Sequence, residues 1–107
     1  MSPFLPVNAS NFDQSVLKSP TPVLLEFGAT WCGPCKRLEP MLEQLAKTWA
    51  GKVQIAKMDV DENVDLVTRY QIMSVPTVIL FVKGEEAQRM TGLQPLERIV
   101  AKFEQHI

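Results

Sequence analysis

The sequence predicts an α/β fold, a central mixed sheet of four to five strands flanked by four helices. Three observations lead there. Val23 to Ala29 and Thr77 to Val82 are apolar at successive rather than alternate positions, the pattern of strands covered on both faces. Helical and strand patterns then alternate as β-α-β-α-β-α, which calls for parallel crossovers and helices on both sides of a sheet. Finally, Lys83-Gly84-Glu85 is a tight connection between two strand patterns, as in an antiparallel hairpin.

The elements follow in order. Phe4 to Val7 reads as a short edge strand, where its prolines need make no ladder bond. Asn8 or Ser10 can cap a helix through about Lys18 whose apolar side is Phe12, Val16 and Leu17, with Pro20 and Pro22 marking its exit. Val23 to Ala29 is a core strand broken only by Glu26. From about Pro34 to Trp49, Leu38, Met41, Leu42, Leu45, Ala46 and Trp49 fall at i, i+3, i+4, i+7, i+8 and i+11, one helical stripe, with a kink expected at Pro40. Val53 to Met58 is a second core strand, interrupted by Lys57. Asp61 or Asn63 can cap a short helix carrying Val64, Val67 and Tyr70. Thr77 to Val82 and Ala87 to Thr91 form the hairpin, and a last helix starts near Pro95 with Leu96, Ile99, Val100, Phe103 and Ile107 on one side.

No repeat, low-complexity segment or proline-rich linker divides the 107 residues, so residues 1–107 are expected to form a single domain. A chain of this length buries roughly 60–70% of its unfolded surface, enough to fold without disulfide staples. Eleven Lys and Arg against twelve Asp and Glu leave a net charge of −1, which provides no field for nucleic acid or an anionic membrane. Neither is an expected partner. The segment MSPFLPVNAS lacks the basic and apolar regions of an export signal, and no apolar run approaches the roughly 20 residues of a membrane span.

The two cysteines, Cys32 and Cys35, stand three apart. A disulfide between them closes too small a loop to stabilise the chain much, so reactivity or metal binding is the better reason for the pair. Zinc needs four ligands, and the only other Cys or His is His106 at the far end of the last helix. A site bridging two chains stays open as an alternative. Attached haem would need His after Cys35, where the chain has Lys36. Redox chemistry fits the position better. Trp31-Cys32-Gly33-Pro34-Cys35 lies where a core strand gives way to a helix, and the unpaired N–H groups there stabilise a thiolate. Cys32, just outside the first turn, is the expected nucleophile and the more exposed of the two. Cys35, inside the helix and covered, is the expected resolving thiol.

Over nearly its full length the chain resembles the thioredoxin family. The resemblance rests on Trp31-Cys32-Gly33-Pro34-Cys35, Pro40, Lys57-Met58-Asp59-Val60-Asp61, Val75-Pro76-Thr77, Gly84 and Gly92, in order and at family-like separations. It implies the thioredoxin fold and a dithiol–disulfide oxidoreductase that uses no bound cofactor and no metal. The Gly-Pro between the cysteines is similar to thioredoxins rather than glutaredoxins or disulfide isomerases, which implies an electron donor to protein disulfides. The implied partners are disulfide-containing target proteins and a separate thioredoxin reductase, NADPH- or ferredoxin-linked, acting on a monomer. The implied compartment is the cytoplasm, or an organelle interior if a transit peptide has been removed.

The resemblance also assigns roles. Glu26, an acid in an apolar strand, reads from the sequence alone as half of an ion pair with Lys57 or as part of a strand edge that reaches solvent; the resemblance implies instead a buried acid that moves protons for Cys35, with Lys57 beside it. The family normally has Asp at this position. Trp31, Gly33, Pro34, Val60, Val75, Pro76 and Gly92 are implied as the substrate surface, with a cis bond before Pro76. Gly28 stands where the family has a bulky aromatic, and Thr30 and Met73 replace positions that are often charged. Asp59, Asp61, Glu62 and Asp65 make an acidic patch that reads either as a solvated helix start or as a docking surface. A noncatalytic binding module and a glutathione-linked oxidoreductase are the competing functions.

Overall fold

The structure, a computed structural model, describes residues 3–107. Five strands form one mixed sheet: β1 (Leu5–Pro6), β2 (Val23–Gly28), β3 (Gln54–Asp59), β4 (Thr77–Val82) and β5 (Glu85–Thr91). Their spatial order is β1-β3-β2-β4-β5. β3 is parallel to both β1 and β2, whereas β4 runs antiparallel to β2 and β5. The strong apolar segments therefore take the middle of the sheet, and the proline-bearing Leu5–Pro6 takes an edge, where a missing N–H does no harm.

All six residues of β2 are buried, which is why the segment carries no alternation. Successive side chains point to opposite faces. Leu24 joins Ile55, Leu80, Leu38, Leu42, Leu45, Ile99 and Phe103 on one side, under helices α1 (Gly33–Thr48) and α3 (Leu96–Phe103). Leu25 and Phe27 join Phe12, Val16, Ala56, Met58, Ile79 and Phe81 on the other. There Phe12, Tyr70 and Phe81 meet with centroids 5.3–5.8 Å apart, the Phe81 ring edge-on to both others. Glu26 falls on the Leu24 side, under α1. That placement sets up the site.

Local chemistry accounts for most boundaries, and several differ from expectation. The first helical segment is only a π-helical turn, Asp13–Leu17, with no side-chain cap. Asn8 instead shapes the turn before it, its Oδ1 accepting from the Ser10 and Asn11 N–H groups and the Ser10 hydroxyl. Ser10 therefore caps nothing. α1 runs on through Pro40, and Trp49 at its end is buried as expected. Asp59 accepts from the Asp61 N–H and starts a 3-10 turn, Val60–Glu62. Helix α2 (Val64–Arg69) has Asn63 at its N-cap position, but the Asn63 amide is spent elsewhere, donating to the Asp59 carbonyl and accepting from the Ala9 N–H. Val64 is 63% exposed, and Leu66 fills the core in its place. Ile107 is exposed as well, because α3 stops at Phe103 and the tighter 3-10 turn after it, Glu104–His106, rotates the stripe out of register.

The hairpin between β4 and β5 has two loop residues, Lys83 and Gly84, both with positive φ (53° and 81°), the type I′ geometry. A Cβ on Gly84 would lie 2.8 Å from the Leu17 carbonyl oxygen. Gly51 has a similar φ of 82° with nothing within 4 Å. Gly84→Ala is therefore expected to lose about 2–3 kcal/mol of stability, left-handed strain plus the clash, and Gly51→Ala only about 1 kcal/mol. Urea unfolding of the two variants measures the difference; equal losses would show that the approach to Leu17 does not matter.

Candidate active site

Every element of the site converges on the end of β2. After Gly28 the chain turns, the Cys32 N–H bonding the Ala29 carbonyl at 3.2 Å, and Cys32 takes the N-cap of α1 in an extended conformation. Pro34 in the first helical turn gives up only an N–H that would have no helical partner. The Cys35 N–H donates to Cys32 Sγ at 3.2 Å, so the helix start points a donor at that sulfur. Cys32 and Cys35 are joined as a disulfide, with Cα atoms 5.3 Å apart. Cys32 is 3% exposed and Cys35 0%. The order of exposure is the expected one, but in this oxidised state Cys32 shows solvent only a sliver.

Beneath the pair lies Glu26, with no exposed surface and neither carboxylate oxygen hydrogen-bonded. Burial in this apolar layer pushes its pKa from 4.5 to about 7; the nearby Glu39 carboxylate adds to the rise and the Lys57 ammonium opposes it. The ion pair between Glu26 and Lys57 that the sequence suggested is not formed, although the two residues are register partners on β2 and β3. Lys57 Nζ lies 3.0 Å from Glu39 Oε2 on α1, and 5.8 Å from the centre of the Phe4 ring. The reason is solvation. Both members of the Lys57–Glu39 pair keep water, with side chains 45% and 23% exposed, whereas turning Lys57 to Glu26 would desolvate two charges at once.

Gly28 and Glu26, two positions where the sequence differs from the resemblance, meet in the structure. A Cβ at position 28 would sit 3.3 Å from Glu26 Oε2 and 3.4 Å from Cys35 Sγ. The longer acid therefore lies against space that a side chain at 28 would enter, and its carboxylate and the Cys35 sulfur approach the same point. A cleft of about 330 Å³ beside them is lined by Gly28, Ala29, Lys36, Glu39, Lys57 and Asp59, among others.

On the other side of the disulfide, Trp31 is 68% exposed, as its implied place on the substrate surface requires. Its Nε1 donates to Asp61 Oδ2 at 2.8 Å, which gives one member of the acidic patch a defined task. Trp31, Val60 and Val75, with Val67, Ile72 and Met73, line a shallow groove of about 200 Å³, and Met73 is 92% exposed. The Val75–Pro76 bond is cis. Pro76 is buried, and its carbonyl accepts from the Gly92 N–H at 2.8 Å, with Gly92 at a φ of 86°. Gly33 and Pro34 are exposed at the helix start. Of the expected surface, then, three residues line the groove, Gly33 and Pro34 are exposed between the cysteines, Pro76 is buried, and Gly92 is partly exposed and bonded to the Pro76 carbonyl. Glu39 escaped the sequence reading. Its position four residues after Cys35, on the same helix face, was the signal that could have found it.

The family described as Thioredoxin matches residues 3–105. The chain is 43% identical over 101 residues to thioredoxin of Staphylococcus saprophyticus, covering 94% of this chain and 95% of the relative. Thioredoxin of Staphylococcus haemolyticus is 42% identical with the same coverage. The chloroplastic M-type thioredoxin of Pisum sativum is also 42% identical over 101 residues, 94% of this chain and 59% of that protein. With the disulfide closed at a strand-to-helix junction and the match running almost from end to end, the chain belongs to the thioredoxin family and is a thiol–disulfide oxidoreductase that reduces protein disulfides.

Proposed function

We propose that Cys32 is the attacking sulfur, Cys35 the resolving thiol and Glu26 the acceptor of the Cys35 proton. In the reduced protein the Cys32 thiolate attacks a target disulfide, forming a mixed disulfide and releasing one target thiolate. Cys35 then loses its proton to Glu26 and attacks the Cys32 sulfur, which releases the second target thiolate and leaves the Cys32–Cys35 disulfide. The target gains two electrons and the protein loses two. A separate reductase returns them, NADPH- or ferredoxin-linked, with no cofactor bound to this chain. Lys57 is the charge that tunes Glu26. An extended target segment lies along Trp31, Gly33, Pro34, Val60, Val75, Pro76 and Gly92, with Met73 adding a flexible apolar contact. The protein works as a monomer, one domain over residues 1–107, in the cytoplasm or an organelle interior.

The observation that carries this reading is the Glu26 carboxylate, buried without a partner and approaching the same point as the Cys35 sulfur. An acid whose pKa lies near 7 is matched to taking a proton at neutral pH. At pH 7, Glu26→Gln is expected to slow release of the mixed disulfide by about tenfold or more while leaving its formation nearly unchanged. Rapid-mixing kinetics resolve the two steps. Equal slowing of both would remove Glu26 from the mechanism.

A further inference from the structure

Parallel pairing of β2 with β3 sets Glu26 directly beside Lys57 on the α1 side of the sheet. Opposite charges so placed ordinarily join. Here they do not, and α1 supplies the reason. One turn after Cys35 it carries Glu39, whose carboxylate holds the Lys57 ammonium at 3.0 Å over the cleft. Both Glu26 oxygens are left without a hydrogen bond.

We propose that Glu39 is a positioning residue: by holding Lys57 on the helix side of the cleft it keeps the ammonium off Glu26, so that Glu26 stays basic enough to take the Cys35 proton. The proposal rests on Glu26 being that acceptor. A carboxylate joined to an ammonium is a weak base, because the partner stabilises the charged form and leaves it little appetite for a proton. The same helix thus presents the thiol that gives up the proton and, four residues on, the carboxylate that removes the competing cation.

The charged surroundings of Glu26 are few enough to assign. β3 contributes Lys57 and, further along the cleft, Asp59; α1 contributes Cys35, Lys36 and Glu39; the β4 register partner is Val78, which is apolar. The Phe4 ring near Lys57 adds a second attraction away from Glu26. The directions agree with the geometry, since Glu39 raises the Glu26 pKa and Lys57 lowers it.

The test follows the Glu26 carboxyl directly, by isotope-edited infrared or carbon NMR titration of the oxidised protein, alongside the pH profile of mixed-disulfide release. In Glu39→Gln, which keeps shape and removes charge, the Glu26 midpoint is expected to fall by about one pH unit as Lys57 turns inward, and the release profile moves with it. Against a Lys57→Gln background the same change is expected to move the midpoint less than half as far, because no ammonium remains to be released. An unchanged or raised midpoint in Glu39→Gln overturns the proposal, as does an equal shift with and without Lys57, which would make Glu39 a remote charge only. A midpoint that falls while release keeps its original pH profile leaves the capture of Lys57 standing and overturns Glu26 as the proton acceptor.

Discussion

Cys32→Ser is expected to lower disulfide reduction by about a thousandfold or more, whereas Cys35→Ser is expected still to attack its targets and to stop at a covalent adduct. The two outcomes differ because the sulfurs sit differently. Cys32 holds the N-cap, receives the Cys35 N–H, and retains what little solvent contact the pair has. Cys35 has none and can reach only the sulfur beside it. Without Cys32 no nucleophile meets the target. Without Cys35 the mixed disulfide has no internal route to collapse, so it accumulates until an outside thiol cleaves it. Non-reducing electrophoresis and intact mass should show a one-to-one adduct through Cys32 in Cys35→Ser and none in Cys32→Ser. Adduct formed by Cys32→Ser at a comparable rate would reverse the assignment.

Glu26→Gln should make the oxidised protein more stable above neutral pH. An acid whose folded pKa is raised from 4.5 to about 7 holds its proton more tightly folded than unfolded. Its favourable contribution is complete below about pH 4.5 and is lost as pH rises through about 7. The shift corresponds to on the order of 3 kcal/mol, the penalty for a charge buried without a partner. Glutamine does not titrate, so the variant gains up to that amount over the parent at pH 8 and little of it at pH 5, less whatever the unpaired amide itself costs. Denaturant unfolding at the two pH values measures the difference. A gap independent of pH would mean that folding leaves the Glu26 pKa where it is in the unfolded chain. The group proposed to speed release of the target is thus expected to weaken the structure that holds it.

Some of this arrangement can be read in the chain and some cannot, for physical reasons. β2, β4 and α1 are legible because each buries a long run of side chains, and one period dominates over six residues or more. α2 has only six residues, too few for a stripe to declare itself, and the tertiary partner chose Leu66 over Val64. Asn8 and Asn63 both have cap chemistry, yet each found a better partner in a neighbouring turn. In the site, the cysteine pair and its helix are plain from spacing. Which carboxylate Lys57 would choose was not, because that depends on how α1 lies across the strands. The cis bond before Pro76 came from the family resemblance, since nothing in the local sequence distinguishes it from an ordinary strand start.

The approach of Glu26 to the empty side of Gly28 ties the two positions to each other. With the longer acid in place, any side chain added at 28 begins within 3.3 Å of its oxygen and 3.4 Å of the Cys35 sulfur. Shortening residue 26 removes the first of these contacts and leaves the second, the Cys35 sulfur, in place. What residue 28 can carry thus depends on the length of residue 26 and on how far the Cys35 sulfur can give way.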